Sequence, residues 1–170
     1  MKKFLALMLL ATTPVLGSFD FGCFWVENVQ TVDGPTGGVY SAVVWNPSNE
    51  QNTHDIRINR SSQDEITIEE RGTYIARFTI LGTAAPSTSY RFALELNGVI
   101  VPGGVFAVET VSAGVDELVG QVAFNVTERH SIIRLVNDSV EGLNVTLANV
   151  AGYSGATDNV TASIFIEQKK

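Results

Sequence analysis

From Asp64 to Gln168 the chain reads as one short apolar–polar alternation after another. "EITIEE" alternates, breaks at Glu70-Arg71-Gly72, and resumes as "TYIARFTI". "YRFALELNGVIVPGG" runs into an Asn-Gly turn and then a Pro-Gly-Gly that predicts a stop. "LVGQVAFNV", "SIIRLVN", "LNVTLANVAGY" and "VTASIFIE" follow. A period of two puts successive side chains on opposite faces of a strand. Gly, Asn, Asp, Pro or Ser interrupts the pattern about every 8 to 12 residues, which predicts an all-β sandwich. No stretch carries the 3.6-residue period of an amphipathic helix.

Upstream the pattern is mixed. "FWVENVQTV" reads as a first strand, "DGPTGG" as a turn, and "VYSAVVWN" as a good strand stopped by Asn46-Pro47. A polar loop, "PSNEQNTHD", leads to the short alternation "IRIN". The opening, "MKKFLALMLLATTPVLGS", runs from basic to apolar to small residues, the order of a secretory signal peptide. Val15-x-Gly17 suits cleavage before Ser18, and the apolar core is too short to span a bilayer. The competing reading of 1–17 is a retained apolar arm packed on a neighbouring subunit. Residues 18–35 form an aromatic N-terminal segment, and 36–170 the sandwich domain. The aromatic load at Phe19, Phe21, Phe24 and Trp25 is too large to leave in water. It predicts ordering against another subunit, either within one assembly or by donation of a strand to the next in a fibre.

Composition narrows the function. The chain has 170 residues, enough for one well-filled core, and is 45% hydrophobic. Its net charge of −7 argues against nucleic acid or an anionic membrane surface as partner. The single cysteine, Cys23, has no intrachain partner. It reads either as an inert, packed thiol or as an interchain disulfide. Neither histidine, His54 or His130, has a metal-ligand spacing partner, so no metal or cofactor is expected. No Gly-x-Ser-x-Gly elbow and no Gly-rich loop before a helix is present. Glu69-Glu70 and Asp116-Glu117 are adjacent carboxylates, which point to opposite faces of a strand or into solvent. No residue is expected to be catalytic. Five Asn-x-Ser/Thr sequons, at Asn59, Asn125, Asn137, Asn144 and Asn159, read as ordinary turn and strand composition in a chain with a bacterial-looking leader.

Four segments carry a family resemblance. "GTYIARFTI", with Gly72 and Tyr74, resembles the Gly-x-Tyr strand of the tumour-necrosis-factor and complement-q globular-domain superfamily. "LNGVIVPGG", with Asn97, Gly98, Val101, Pro102 and Gly103, is similar to the bacterial branch that ends the collagen-like spore-surface glycoproteins of bacilli. "VAFNVTERHSIIRLVN" resembles the superfamily's pair of strands around a charged turn, and "ASIFIEQKK" its final strand. The resemblance covers about residues 36 to 168. It implies a ten-strand jelly roll of two antiparallel sheets, a tight homotrimer and no enzymatic activity. The chain lacks the Gly-x-y stalk and proline-rich leader of the spore glycoproteins.

Alternation sorts the strands into faces. Tyr74, Ala76, Phe78 and Ile80, with Val122, Phe124 and Val126 and with Ala162, Ile164 and Ile166, form the expected sandwich core. The opposite faces carry Ile75, Arg77, Thr79 and Leu81, then Val119, Gln121 and Ala123, then Ser163 and Phe165. The resemblance turns this second set toward a threefold axis. Two function classes follow. One is an exported trimeric surface or fibre protein, whose partners are copies of itself and a host or matrix ligand. The other is a receptor- or carbohydrate-binding head of a secreted or phage assembly.

Overall fold

A computed structural model describes residues 20–110, 114–148 and 160–169. The expected leader, 1–17, and the sequon at Asn159 lie outside them. Among the described residues every regular element is a strand. The first half of the chain supplies β1 (Phe21–Val26), β2 (Gln30–Val32), β3 (Glu50–Asn52), β4 (Ile56–Ile58), β5 (Ile66–Ile68) and β6 (Gly72–Thr83). The second half supplies β7 (Ser89–Leu96), β8 (Val99–Glu109), β9 (Asp116–Val126), β10 (Ser131–Asn137), β11 (Val145–Leu147) and β12 (Ala162–Lys169). They form two antiparallel sheets. The larger has seven strands in the order β2-β11-β6-β12-β1-β3, with β9 on the other side of β6. The smaller has five, in the order β4-β5-β10-β7-β8.

The core lies between the sheets because each strand turns its apolar set inward. Tyr74, Ala76, Phe78 and Ile80 of β6 meet Ile133 and Leu135 of β10 and Phe92 and Leu94 of β7 in one buried cluster. Val122, Phe124 and Val126 of β9 and Ala162, Ile164 and Ile166 of β12 belong to the same cluster. Each Val, Leu, Ile or Phe side chain among them is worth about 1.5–3 kcal/mol of burial. The buried tyrosines keep partners for their hydroxyls: Tyr74 donates to Glu70 O at 2.9 Å and Tyr90 to Asp116 O at 2.8 Å. Gly120 is required on the inner face of β9. A Cβ there would sit 2.3 Å from the Phe78 ring.

Four sequence expectations change. The segment 18–35 is not a separate piece: from Phe21 it supplies β1 and β2 to the larger sheet. Phe21, Phe24 and Trp25 are placed in a strand of their own chain's sheet, while Phe19 lies outside the described residues. Phe24 and Val26 are buried in the common core, and β1 pairs on both sides, with β12 and β3. "FWVENVQTV" is two strands because the chain changes partner, Val26 pairing with Ala162 and Gln30 with Leu147. "VYSAVVWN" makes one bridge, Ala42 to Val136, rather than a strand. It fills the edge of β10 that the short β5 leaves open, with Val43 N donating to Leu135 O at 2.9 Å. Finally, Pro102-Gly103-Gly104 does not stop β8. The pairs Ala93–Val105 and Glu95–Ile100 leave residues 101–104 facing Leu94 alone, an irregular four-residue bulge. β8 is an edge strand, where a proline removes no ladder hydrogen bond, and Gly103 takes φ +75° at the bulge.

Candidate functional site

The outward face of the larger sheet is a set of rows fixed by strand register. Trp25, Ser163, Thr79 and Val119 lie across β1, β12, β6 and β9. The next row is Cys23, Phe165, Arg77 and Gln121. The third is Phe21, Glu167, Ile75 and Ala123. All eight residues that the family resemblance turned toward a threefold axis, Ile75, Arg77, Thr79, Val119, Gln121, Ala123, Ser163 and Phe165, therefore share one surface. Sequence reasoning missed Phe21, Trp25 and Glu167 as members of it. The first two were assigned to an arm, although the alternation of "FGCFWV" carries the same period-two signal.

The face is apolar and open. Phe21 is 37% exposed and Val119 63% exposed, while Trp25, Ile75, Leu81 and Phe165 are half-buried. The rings of Phe21 and Phe165 stack at 6.2 Å. One cation stands at the centre. Arg77 lies 6.0 Å from the centroid of Phe165, donates from Nε to Gln121 Oε1 at 2.8 Å, and pairs with Glu167 at 3.2 Å. Its planar head is thus held by a ring, an amide and a carboxylate in one geometry. The Glu167 carboxyl is held below its usual range by the Lys169 ammonium first and then by Arg77.

Cys23 is half-buried in the middle row, at the edge of a shallow depression of about 450 Å³ shared with Trp25, Thr79 and Leu81. Burial pushes its thiol up, away from the reactive thiolate.

The remaining candidates scatter. Glu69 pairs with Arg57 and His130, and Glu70 with Arg129, so that carboxylate pair is committed to surface ion pairs. Asp116 opens β9, and Glu117 is placed by register opposite Leu81 on the outward face. Among the described residues no group of three or more His, Cys, Asp and Glu is placed to hold a metal. No helix among them is long and apolar enough to cross a membrane. Of the sequons, Asn137 is fully buried, its Nδ2 donating to Val32 O at 3.0 Å and Leu143 O at 2.9 Å. A glycan at that nitrogen is incompatible with the fold.

No family model matches the sequence, and no curated protein matches it. Solved structures do match the fold. Eiger TNF from S. frugiperda superposes with a TM-score of 0.60 at 9% identity, over 89% of this chain and 93% of that one. Murine APRIL at pH 5.0 gives a TM-score of 0.58 at 9% identity, over 89% of this chain and 100% of that one. The globular domain of the zebrafish complement 1qA protein gives 0.50 at 9% identity, over 88% and 95%. The fold is therefore the jelly roll of TNF and complement-q globular domains, with twelve described strands where the resemblance implied ten.

Proposed function

We propose that this chain is a non-enzymatic, exported protein that works as a homotrimer, on a bacterial cell or spore surface or as a subunit of a surface fibre. The observation that carries the reading is the outward face of the larger sheet: three registered rows with aromatic and aliphatic side chains that no described residue covers. Domains of the TNF and complement-q kind are typically trimeric, which supports two further copies as the cover. Obligate interfaces of this sort bury about 2,000 Å² or more. The exposed Phe21 and the half-buried Trp25 and Phe165 are the anchors such an interface uses.

Two consequences bear on the finer reading. A disulfide joins two thiols, and threefold symmetry leaves the third without a partner. A symmetric trimer built on this face therefore leaves at least one Cys23 per trimer reduced, so a bridge that locks all three chains does not fit this interface. A fibre built by donating β1 to the next trimer is disfavoured too, because both edges of β1 are occupied within its own sheet. Stacked trimers need another contact surface.

The test is sedimentation equilibrium of the mature chain beside Phe165→Glu. The wild type is expected at three times the monomer mass and the variant as monomer or aggregate, because the new charge is desolvated without a partner. A trimer that survives Phe165→Glu unchanged removes this face as the interface.

A further inference from the structure

A cleft lies apart from that face, between β3, β4 and the turns that flank them. It encloses about 410 Å³ and is lined by Glu50, Asn52, His54, Arg57, Ile58 and Arg60, among others. That volume falls within the range of about 300–1,000 Å³ of small-molecule sites.

Its charges are unusual for this molecule. The chain carries −7 overall. Most described cations are tied to a carboxylate at close range: Arg77 to Glu167, Arg91 to Asp138 and Arg134 to Glu95, each at 3.2 Å. Arg60 is not. Its nearest carboxylate among the described residues, Glu50, is 4.0 Å away, and its side chain is 82% exposed. His54 is exposed at the same mouth, with no hydrogen bond to its side chain among the described residues. Arg57 lines the wall with its head half-exposed while one nitrogen holds Glu69. Deeper in, Glu50 is largely buried and already accepts from Asn52 Nδ2 at 3.1 Å and Ile58 N at 3.4 Å. The buried Ile58 supplies an apolar patch.

We infer that this cleft binds a carboxylated sugar. The carboxylate would meet Arg60 and His54 at the mouth, as a charge-assisted pair. Glu50 Oε1 and the Asn52 carbonyl would accept from hydroxyls, and the C–H face of the ring would lie on Ile58. A simple inorganic anion fits less well, because it would face the Glu50 carboxylate with no hydroxyl to offer. A neutral sugar would leave Arg60 without a role. The inference rests on one chain's own geometry and stands whether or not the trimer forms.

The experiment is a 1H–15N titration of the full mature chain with N-acetylneuraminic acid and with glucuronic acid, run beside glucose and sodium sulfate. The acidic sugars are expected to shift the Asn52, His54 and Arg60 signals saturably, with Kd of about 1 mM. Glucose and sulfate are expected to bind at least about tenfold more weakly. Arg60→Gln should weaken acidic-sugar binding about tenfold, the loss of one charge-assisted contact. Arg71→Gln, an exposed arginine outside the cleft, should leave it unchanged. Equal binding by Arg60→Gln overturns the site. Equal binding of glucose or of sulfate overturns the ligand class, and no saturable shift up to about 50 mM overturns both. Arg60→Gln should sediment as the wild type does, so a failed interface shows in the sedimentation and a failed cleft only in the titration.

Discussion

On the outward face of the smaller sheet, Ala42, Ala93 and Val136 lie side by side and are sealed by their own neighbours, Tyr40 and Ile100. Arg134 lies beside them, its head bound to Glu95, Asp64 and the Tyr40 carbonyl, each at 3.2 Å. On the outward face of the larger sheet the choice is reversed. Large side chains, Phe21, Trp25, Phe165 and Val119, stand out from the surface, and Arg77 is the one cation among the three rows. Small residues under long amphipathic ones make a face that needs nothing further. Large apolar residues that no described residue covers make an exposed apolar patch. Total hydrophobicity does not distinguish the two sheets. What differs is whether the described residues supply the cover.

Substitutions that act on the shared core set the upper limit against which both faces are measured. Phe78→Ala should cost about 3–5 kcal/mol, with Phe124→Ala at the lower end because its ring is slightly open. Each should lower Tm by about ten degrees in calorimetry. A shift of one or two degrees would place the ring outside the core.

A matched pair then separates the faces directly. Ala93→Asp puts a carboxylate where no solvent reaches and should destabilise the chain by several kcal/mol at any protein concentration. Ala123→Asp puts the same group on the exposed outward face of β9 and should change the stability of the isolated chain by less than about 0.5 kcal/mol. Its cost should appear only as dissociation, read by sedimentation over a dilution series. Equal unfolding losses in the two variants would erase the distinction.

Arg134→Ala leaves Glu95, only 5% exposed, without its ion partner and should cost about 1–3 kcal/mol in chemical unfolding. Glu95→Gln with Arg134→Met should recover part of that loss, since both desolvated charges are then gone.

The smallest effect is the pH dependence from Glu167. Its folded-state pKa lies below the ordinary value, so its contribution is present above the usual carboxylate range and lost as pH falls through the folded value. The difference in Tm between wild type and Glu167→Gln should be small at pH 7 and vanish in acid. A gap that widens as pH falls would reverse the assignment.

Most of this architecture was legible because inward and outward sets alternate without a slip over β6, β9 and β12. Tyr74, Phe78 and Phe124 could be placed from period alone. What could not be read was pairing. β1 looks like a loose aromatic arm until Phe24 is set opposite Ile164. The same holds for Pro102-Gly103-Gly104, where an edge position tolerates what a central strand would not. The cleft at Arg60 was invisible for a related reason. Its residues come from two strands of three residues each, β3 and β4, and the polar turns around them, and only the fold brings Glu50 within reach of Ile58 N.

The place of β12 has a kinetic consequence. It lies between β6 and β1, so the middle of the larger sheet is built from two stretches far apart in sequence. Thr161 Oγ1 donates to Val26 O across 135 positions. Until residues 162–169 arrive, β1 and β6 have no strand to share, and the loop-closure entropy for joining them stays unmet. Such a topology folds late and slowly. A partly synthesised chain would hold Phe24, Phe78 and their neighbours in an open half-sheet, accessible to chaperones.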